Sequence, residues 1–534
     1  MIGERQMGIA PLKLQENYWE TFQIREDDLE FLYNQLLELE TPLTPQELMK
    51  MLVEERTRQE KNNLEKQRLG TGAVFKPSEH YEVGQELVFP ALDWQKGHVL
   101  SVRKGVNPDV AAFDVIEVEL ESGQKKSFAS SLEDHNLNQP LPVSTDDPLL
   151  DVAVVMKRFG RSLTARLTEM LEANDELVQI AGSWFPRALL VDVSAGHLNL
   201  AEAVLEMAGG GPLATRAIIE QIELPTDTNS RLTEFSLNLA LQEDSRFDEI
   251  GPAGETLWFL HRLEPADVQN PPTYLRYYPI EYDNASIEKD IKAFGGQCFD
   301  ELEQSSGEIE EDVNDVTVTL IYPHWSAGTL PLTGQLARLF PTAYESPRIQ
   351  FEFVDMDTQK RFAGWVVRPN RYVYGLKEWY TAQNTLPGSL IHLQRGEKPG
   401  EIFIRLGKKH PTREWVRSLI VGADGGFVFA MLKQQIYTEF DERMIVFIKD
   451  TEDLAGLWEQ TNSPKTNLDQ VISQMVRQLS KLSPQSHVHA QELYAAVNLV
   501  RRCPPGAILN ILFNRPWAIH LGDLYFRLED EDQE

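Results

Sequence analysis

The sequence predicts a multidomain α+β chain, and three observations carry that reading. At 534 residues the chain is too long for a single hydrophobic core. The hydrophobic period switches several times between the 3.6 of helices and the 2 of strands. Two well-separated stretches repeat one order, three helices and then a short apolar hairpin.

The composition, 42% hydrophobic and 25% charged, is that of a globular protein. No apolar run approaches the roughly 18 residues a membrane span requires, so no membrane contact is expected. Residues 1–14 lack the basic segment and apolar core of a secretory signal, which predicts a cytoplasmic protein. Cys298 and Cys503 have no partners at metal-ligand spacing, which argues against a disulfide framework and a cysteine-based zinc site. The net charge of −31 would repel phosphate if spread evenly, so a DNA binder of this composition must concentrate its positive charge locally.

In chain order, residues 27–70 read as a helical, helix-turn-helix-like segment. Leu29, Leu32, Leu36 and Leu39 recur at helical spacing, and Pro42 stops that helix. Thr44, Pro45 and Glu47 form a capping box for a second helix that is expected to bury Leu48, Met51 and Leu52. The charged run beyond Val53 reads as a solvated helical extension or linker. Residues 81–135 change to short β-type runs near Gly84, Gly97 and Gly123, predicting a small β-barrel with Phe89, Trp94, Phe113 and Phe128 in its core. Residues 149–192 read as a helix and then a hairpin turning at Gly182 and Ser183. In 195–264, helices over 198–208, 215–222 and from a Ser230 cap to 243 precede a hairpin around Gly251, Pro252 and Gly254. Three helices and a hairpin make a winged helix. The acidic stretch 299–315 has no periodicity and reads as a flexible linker. Residues 316–420 are β-rich and aromatic. A second winged helix is expected over 466–529, with helices at 468–481, 490–497 and 507–513 and a hairpin turning at Gly522 and Asp523.

Residues 316–420 are also where base outweighs acid. They hold 14 basic residues against 8 acidic ones, a net +6 that leaves −37 for the rest of the chain. Such segregation is what phosphate binding by an acidic protein requires, although an ordinary solvated surface has the same composition. Within this module Trp365, Arg368, Arg371, the run Tyr374-Gly375-Leu376-Lys377-Glu378-Trp379-Tyr380, Asn384, Leu386, Gly388 and Ser389 resemble the B-three DNA-binding pseudobarrel of plant transcription factors and some restriction enzymes. The match covers about a fifth of the chain, with Ser389 where that family has aspartate and with a glycine and tryptophan that are not adjacent. The resemblance implies a β-rich pseudobarrel whose two loops grip the major groove. One arm would be His324, Trp325 and Ser326, the other Arg368, Asn370 and Arg371, with Lys377 nearby.

The first winged-helix pattern, with Phe247, Gly251, Gly254, Trp258 and Leu260, resembles the HARE-type winged helix-turn-helix. That family includes the acidic delta subunit of bacterial RNA polymerase and chromatin and restriction proteins. In a DNA-reading winged helix the third helix enters the major groove. Here it would offer Arg231 and Asn238 in one unit and Asn510 in the other, with Arg501 and Arg502 just before it. Acidic winged helices also bind proteins, and that reading stands beside the DNA one.

Catalytic signatures are sparse. Gly209-Gly210-Gly211 precedes Pro212 and has no lysine, so it reads as a helix terminus and not a phosphate loop. His487 and His489 lack a nearby carboxylate to complete a metal set and read as cap or surface residues. Glu117, Glu119 and Glu121 share one strand face, while Lys125 and Lys126 are wrongly spaced for nuclease chemistry. The expectation is therefore a non-enzymatic, DNA-associated regulator without cofactor or metal. Its basic module would contact double-stranded DNA, and its acidic winged helices would contact RNA polymerase or another basic protein. The alternative is a purely protein-binding acidic scaffold, or a DNA mimic.

Overall fold

The computed structural model describes residues 14, 17–69, 73–89, 92, 95–107, 112–133, 135–138, 148–222, 224, 229–279, 288–303, 313–343, 346–398, 400–422 and 426–529. The chain divides into two compact units, Met1–Leu190 and Val191–Glu534.

In the first unit, α1 (Tyr18–Thr21), α2 (Glu26–Leu39), α3 (Pro45–Leu69) and α4 (Val152–Glu172) bury Trp19, Leu32, Leu36, Leu48, Leu52, Leu163 and Leu167. The capping box forms as read: Thr44 N–H donates to Glu47 at 2.8 Å, and Glu47 N–H to the Thr44 hydroxyl at 3.3 Å. Met49 and Val53, not Met51, complete the buried face of α3, whose charged continuation is helical to Leu69. The sheet β1 (Ala73–Val74), β2 (Glu86–Phe89), β3 (Gln95–Lys104), β4 (Asp114–Leu120) and β5 (Lys125–Ser130) is ordered as in sequence, over a core of Phe75, Tyr81, Leu87, Phe89, Val99, Ile116 and Val118. It is open, without pairing of β1 to β5 among the described residues, so the small barrel expected here is not closed. Trp94 lies outside the described residues. Glu117 and Glu119 face solvent from β4, and Glu121 is exposed in the turn that follows it. The hairpin β6 (Leu177–Ile180) and β7 (Ser183–Pro186) ends the unit.

The second unit begins with α5 (Ala195–Met207), β8 (Leu213–Ala214), α6 (Thr215–Ile222), α7 (Ser230–Glu243), β9 (Phe247–Glu249) and β10 (Leu257–Leu260). Its three strands are ordered β8-β10-β9. The cap of α7 is Asn229, whose side chain accepts from Arg231 N–H, one residue earlier than the serine expected. Gly211 has φ +120°, and a Cβ there would stand 2.4 Å from the Trp258 carbonyl oxygen, so only glycine lets the chain pass β10. Then come α8 (Ala266–Gln269) and α9 (Glu288–Cys298).

A seven-stranded sheet follows, built from β11 (Asp315–Thr319), β12 (Thr329–Pro331), β13 (Arg348–Asp355), β14 (Arg361–Val367), β15 (Tyr372–Tyr374), β16 (Leu390–Arg395) and β17 (Glu401–Leu406). The order is β11-β16-β17-β13-β14-β15-β12, with β13 and β17 parallel. Short helices α10 (Tyr322–Ala327), α11 (Gly334–Leu339) and α12 (Lys377–Ala382) connect its strands. The hairpin β9–β10 docks on this sheet. Ile250 and Phe259 pack with Trp365, Val367 and Tyr372, and Gln350 N–H donates to the Ile250 carbonyl at 2.8 Å.

The β-rich module expected over 316–420 ends sooner than its composition suggests. After Leu406 the chain enters a separate sheet, β18 (Lys408–Val421), β19 (Phe427–Thr438) and β20 (Phe447–Ile448), ordered β19-β18-β20. The chain closes with α13 (Thr451–Thr461), α14 (Leu468–Ser480), β21 (Val488–His489), α15 (Ala490–Val500), α16 (Pro505–Asn514), β22 (Ala518–Gly522) and β23 (Tyr525–Leu528). From α14 to β23 the order is helix, strand, helix, helix, strand, strand, the same as from α5 to β10. His489 caps α15, accepting from Gln491 N–H at 3.1 Å. No helix among the described residues is long and apolar enough to cross a membrane.

The acidic stretch 299–315 is not a free linker at either end. Asp300 and Glu301 are buried against Arg502, and Asp315 opens β11; residues 304–312 lie outside the described residues. Arg502 donates to Asp300 from Nη1 at 2.9 Å and from Nη2 at 2.6 Å, and Nη2 stands 2.9 Å from Glu301. The Tyr494 hydroxyl donates to Asp300 at 2.6 Å. Composition alone reads these carboxylates as solvated; a fully paired arginine lets them be interior.

Candidate nucleic-acid interface

The residues singled out from sequence fall into three groups. Trp325, Ser326 and Lys377 do come together: the Lys377 ammonium donates to the Ser326 carbonyl at 2.6 Å and lies 5.4 Å from the Trp325 ring centre. Burial depresses the Lys377 pKa. Their neighbour His324 is buried, with Nε2 2.9 Å from Glu301 and Nδ1 2.8 Å from the Thr329 hydroxyl, so its ring is not offered to a ligand.

Arg368, Asn370 and Arg371 are exposed in the turn between β14 and β15. Arg371 has φ +52° and reaches the Glu303 carbonyl at 3.4 Å, while Arg368 reaches the Ser346 carbonyl at 3.4 Å. The register pairs Thr329 with Tyr374 and Pro331 with Tyr372, which puts the two expected arms at opposite ends of the β12–β15 pair instead of side by side.

The helix residues are the clearest correction. A helix that reads a groove must expose a face to it. Yet α7 buries Leu232, Thr233, Phe235, Ser236, Leu237, Asn238, Leu239 and Leu241, and α16 buries Pro505 through Leu509 and Leu512. Asn238 is tied inside, accepting from the Thr215 hydroxyl at 2.5 Å and from Trp258 Nε1 at 3.0 Å. Arg501 is buried with Nη1 2.6 Å from the Thr466 carbonyl, and Arg502 is consumed by Asp300 and Glu301. Asn510 is half-buried, and only Arg231 is exposed.

The surface best built for contact is one the sequence reading passed over. Strands β18 and β19 form a ribbon of 14 and 12 residues, closed toward Gly422 and Gly426. The register pairs Arg413 with Gln435, Trp415 with Lys433, Arg417 with Met431 and Leu419 with Phe429, so all eight side chains share one face. Toward the turn this face is buried, because Leu419, Phe427 and Phe429 join the core of α14, α15 and α16. Toward the other end it opens. Trp415 is 64% exposed, Tyr437 49% and Met431 39%, with Arg413, Lys433 and Gln435 exposed among them. Among the described residues the two strands place no carboxylate of their own on that stretch of the face. The opposite face anchors the ribbon through Val416 and Ile436 packed on Ile445.

Arg417, on the same face, is already engaged. It pairs with Glu492 and donates from Nη2 to the Glu442 carbonyl at 2.8 Å, leaving Arg413 and Lys433 as the cations facing solvent on this face among the described residues. Beside Trp415 lies a groove of about 320 Å³ whose lining joins Met431, Leu479 and Leu482 to His487, Glu442 and Glu492. The alternations Arg413-x-Trp415-x-Arg417 and Met431-x-Lys433-x-Gln435-x-Tyr437 around a glycine-rich turn are the sequence signal of this hairpin. The module boundary drawn at 420 cuts through it.

No family model, no curated protein and no solved structure matches this chain.

Proposed function

We propose that the chain is a DNA-associated regulatory protein that acts by binding, and that its DNA contact is the open face of the β18–β19 ribbon. The observation that carries this reading is Trp415, 64% exposed between Arg413 and Lys433 on a ribbon face that bears no carboxylate of its own among the described residues, in a chain with net charge −31. A two-stranded ribbon fits the major groove, its cations meet phosphates, and an exposed tryptophan supplies apolar contact to base edges such as the thymine methyl. The two helix-and-hairpin units, whose third helices are buried, act through proteins. The −37 outside residues 316–420 supports a basic partner such as RNA polymerase.

The test is a titration of the full chain with random-sequence duplex DNA at low and moderate salt. Each phosphate contact adds about −0.9 to the slope of log K against log salt, so Arg413→Ala with Lys433→Ala reduces that slope by about 2. Trp415→Ala weakens binding with the slope kept. If Arg368→Ala with Arg371→Ala abolishes binding instead, the contact is the β14–β15 turn. Absence of binding at low salt overturns the DNA reading. A second reading, a protein-binding scaffold, then takes its place, favoured by the groove of mixed apolar and charged lining beside Trp415.

A further inference from the structure

We propose that Asp248, His261 and Glu264 form a site for a first-row divalent cation of the zinc class, where the hairpin β9–β10 meets the seven-stranded sheet. The ligand atoms of these three side chains lie within 4.8 Å of one another. His261 Nδ1 is 3.3 Å from Glu264 Oε2 and 4.0 Å from Asp248 Oδ2. Tetrahedral ligands about 2.1 Å from a zinc ion stand about 3.4 Å apart, so one of the three edges is in place and small side-chain rotations close the other two. The backbone holds all three in position. Asp248 is paired with Phe259 in the β9–β10 ladder, and His261 and Glu264 open and close the single turn that follows β10.

The second observation is the state of Glu264. Its side chain has no exposure to solvent, and neither carboxylate oxygen has a hydrogen-bond partner. A carboxylate taken from water without hydrogen bonds is costly, and buried charges are ordinarily paired or bound to metal. Arg348, on β13, answers this only in part. Its Nη1 touches Asp248 at 2.6 Å but stops 3.6 Å from Glu264, beyond hydrogen-bonding distance. One guanidinium does not satisfy two carboxylates, so without a further cation Glu264 is left to hold a proton, which a divalent ion would displace. The Arg348 side chain is 20% exposed and has a way out toward water.

One imidazole nitrogen with two carboxylate oxygens suits zinc, cobalt or manganese, and three protein ligands leave a position open to water. Entry of the ion exchanges the ion pair between hairpin and sheet for a clamp within the hairpin. The site is independent of the ribbon and of what the ribbon binds.

The experiment uses the full chain stripped of metal by a chelator and titrated with Co²⁺, read by visible absorption, with Zn²⁺ in competition. The expected result is one equivalent bound with tetrahedral ligand-field bands, displaced by Zn²⁺. His261→Ala, at a side chain 40% exposed and so removable without opening the core, abolishes the bands, and Glu264→Gln weakens binding at least tenfold. Arg348→Met tightens binding, because it removes the competing cation. The proposal is overturned if neither ion binds, if both ligand variants bind as the wild type does, or if Arg348→Met weakens binding. Circular dichroism of each variant separates loss of the site from loss of the fold.

Discussion

Asp300, Glu301, Arg502 and His324 in one place, and Asp248, Glu264, Arg348 and His261 in another, are the same four residue types in two states of completion. In the first cluster Arg502 uses Nε, Nη1 and Nη2, Tyr494 and Asn498 add bonds, and His324 bridges from Glu301 to Thr329. In the second, Arg348 engages through Nη1 while the Glu264 oxygens have no hydrogen bond. Burial raises the Glu264 pKa to about 8, assisted by Asp248. Burial also pushes that of Glu301 upward, but Arg502 and then His324 outweigh it and hold the carboxyl well below the usual range. What separates a structural cluster from a candidate site is therefore whether every donor and acceptor is used, and not its composition.

Arg502→Met gives the largest test of that contrast. It leaves two carboxylates buried without their cation, and a loss of about 3–5 kcal/mol in unfolding free energy is expected from denaturant titration. A loss below about 1 kcal/mol would mean that the closed cluster is not the tie it resembles.

The next test is pH. A carboxyl whose folded pKa is depressed contributes its full stability above its unfolded value, near 4.3, and loses it as pH falls through the folded one. Glu301 therefore makes unfolding free energy decline as pH drops below about 4. Arg502→Met removes most of that decline, which denaturant melts across an acid series resolve.

These two clusters also mark where the sequence was readable. The helices and hairpins from 195 to 264 and from 466 to 529 were legible because their signals are local: capping residues, a 3.6 period and glycines at turns. The strand Glu401–Leu406 was legible from its β-branched and aromatic run. The burial of Asp300 was not, because its partner Arg502 is 202 residues away and its neighbours are acidic enough to read as a linker. His261 and Glu264 share a turn, but nothing in their local sequence set them apart. Asp248 joins them only through the β9–β10 register, and Arg348 from 100 residues beyond Asp248. The buried sides of α7 and α16 were hidden for the same reason: periodicity shows one apolar face and says nothing of what covers the other.

Arg348→Met sharpens the comparison from the other side. In the metal-free protein it costs less than Arg502→Met, about 1–2 kcal/mol, because Asp248 keeps 16% exposure and water solvates part of the charge left behind. Equal losses for the two arginine variants would erase the distinction between a closed and an open cluster.

The smallest effect has the most telling sign. Glu264→Gln keeps the shape of the side chain and replaces a buried carboxyl that burial and Asp248 keep largely protonated at neutral pH. An ordinary buried carboxylate is paired, and neutralising it destabilises the fold, as Glu301→Gln is expected to do here by about 1–3 kcal/mol. At Glu264 the balance reverses. The carboxyl stays largely neutral in the fold but ionises on unfolding, a gain to the unfolded chain that the amide lacks, so metal-free Glu264→Gln should be as stable as the parent or more stable by about 1 kcal/mol at neutral pH. A group that costs stability where it stands is retained for something other than stability, and of the two clusters only this one has such a group. If Glu264→Gln instead destabilises the metal-free protein as much as Glu301→Gln does, Glu264 is an ordinary structural residue and the two clusters are alike.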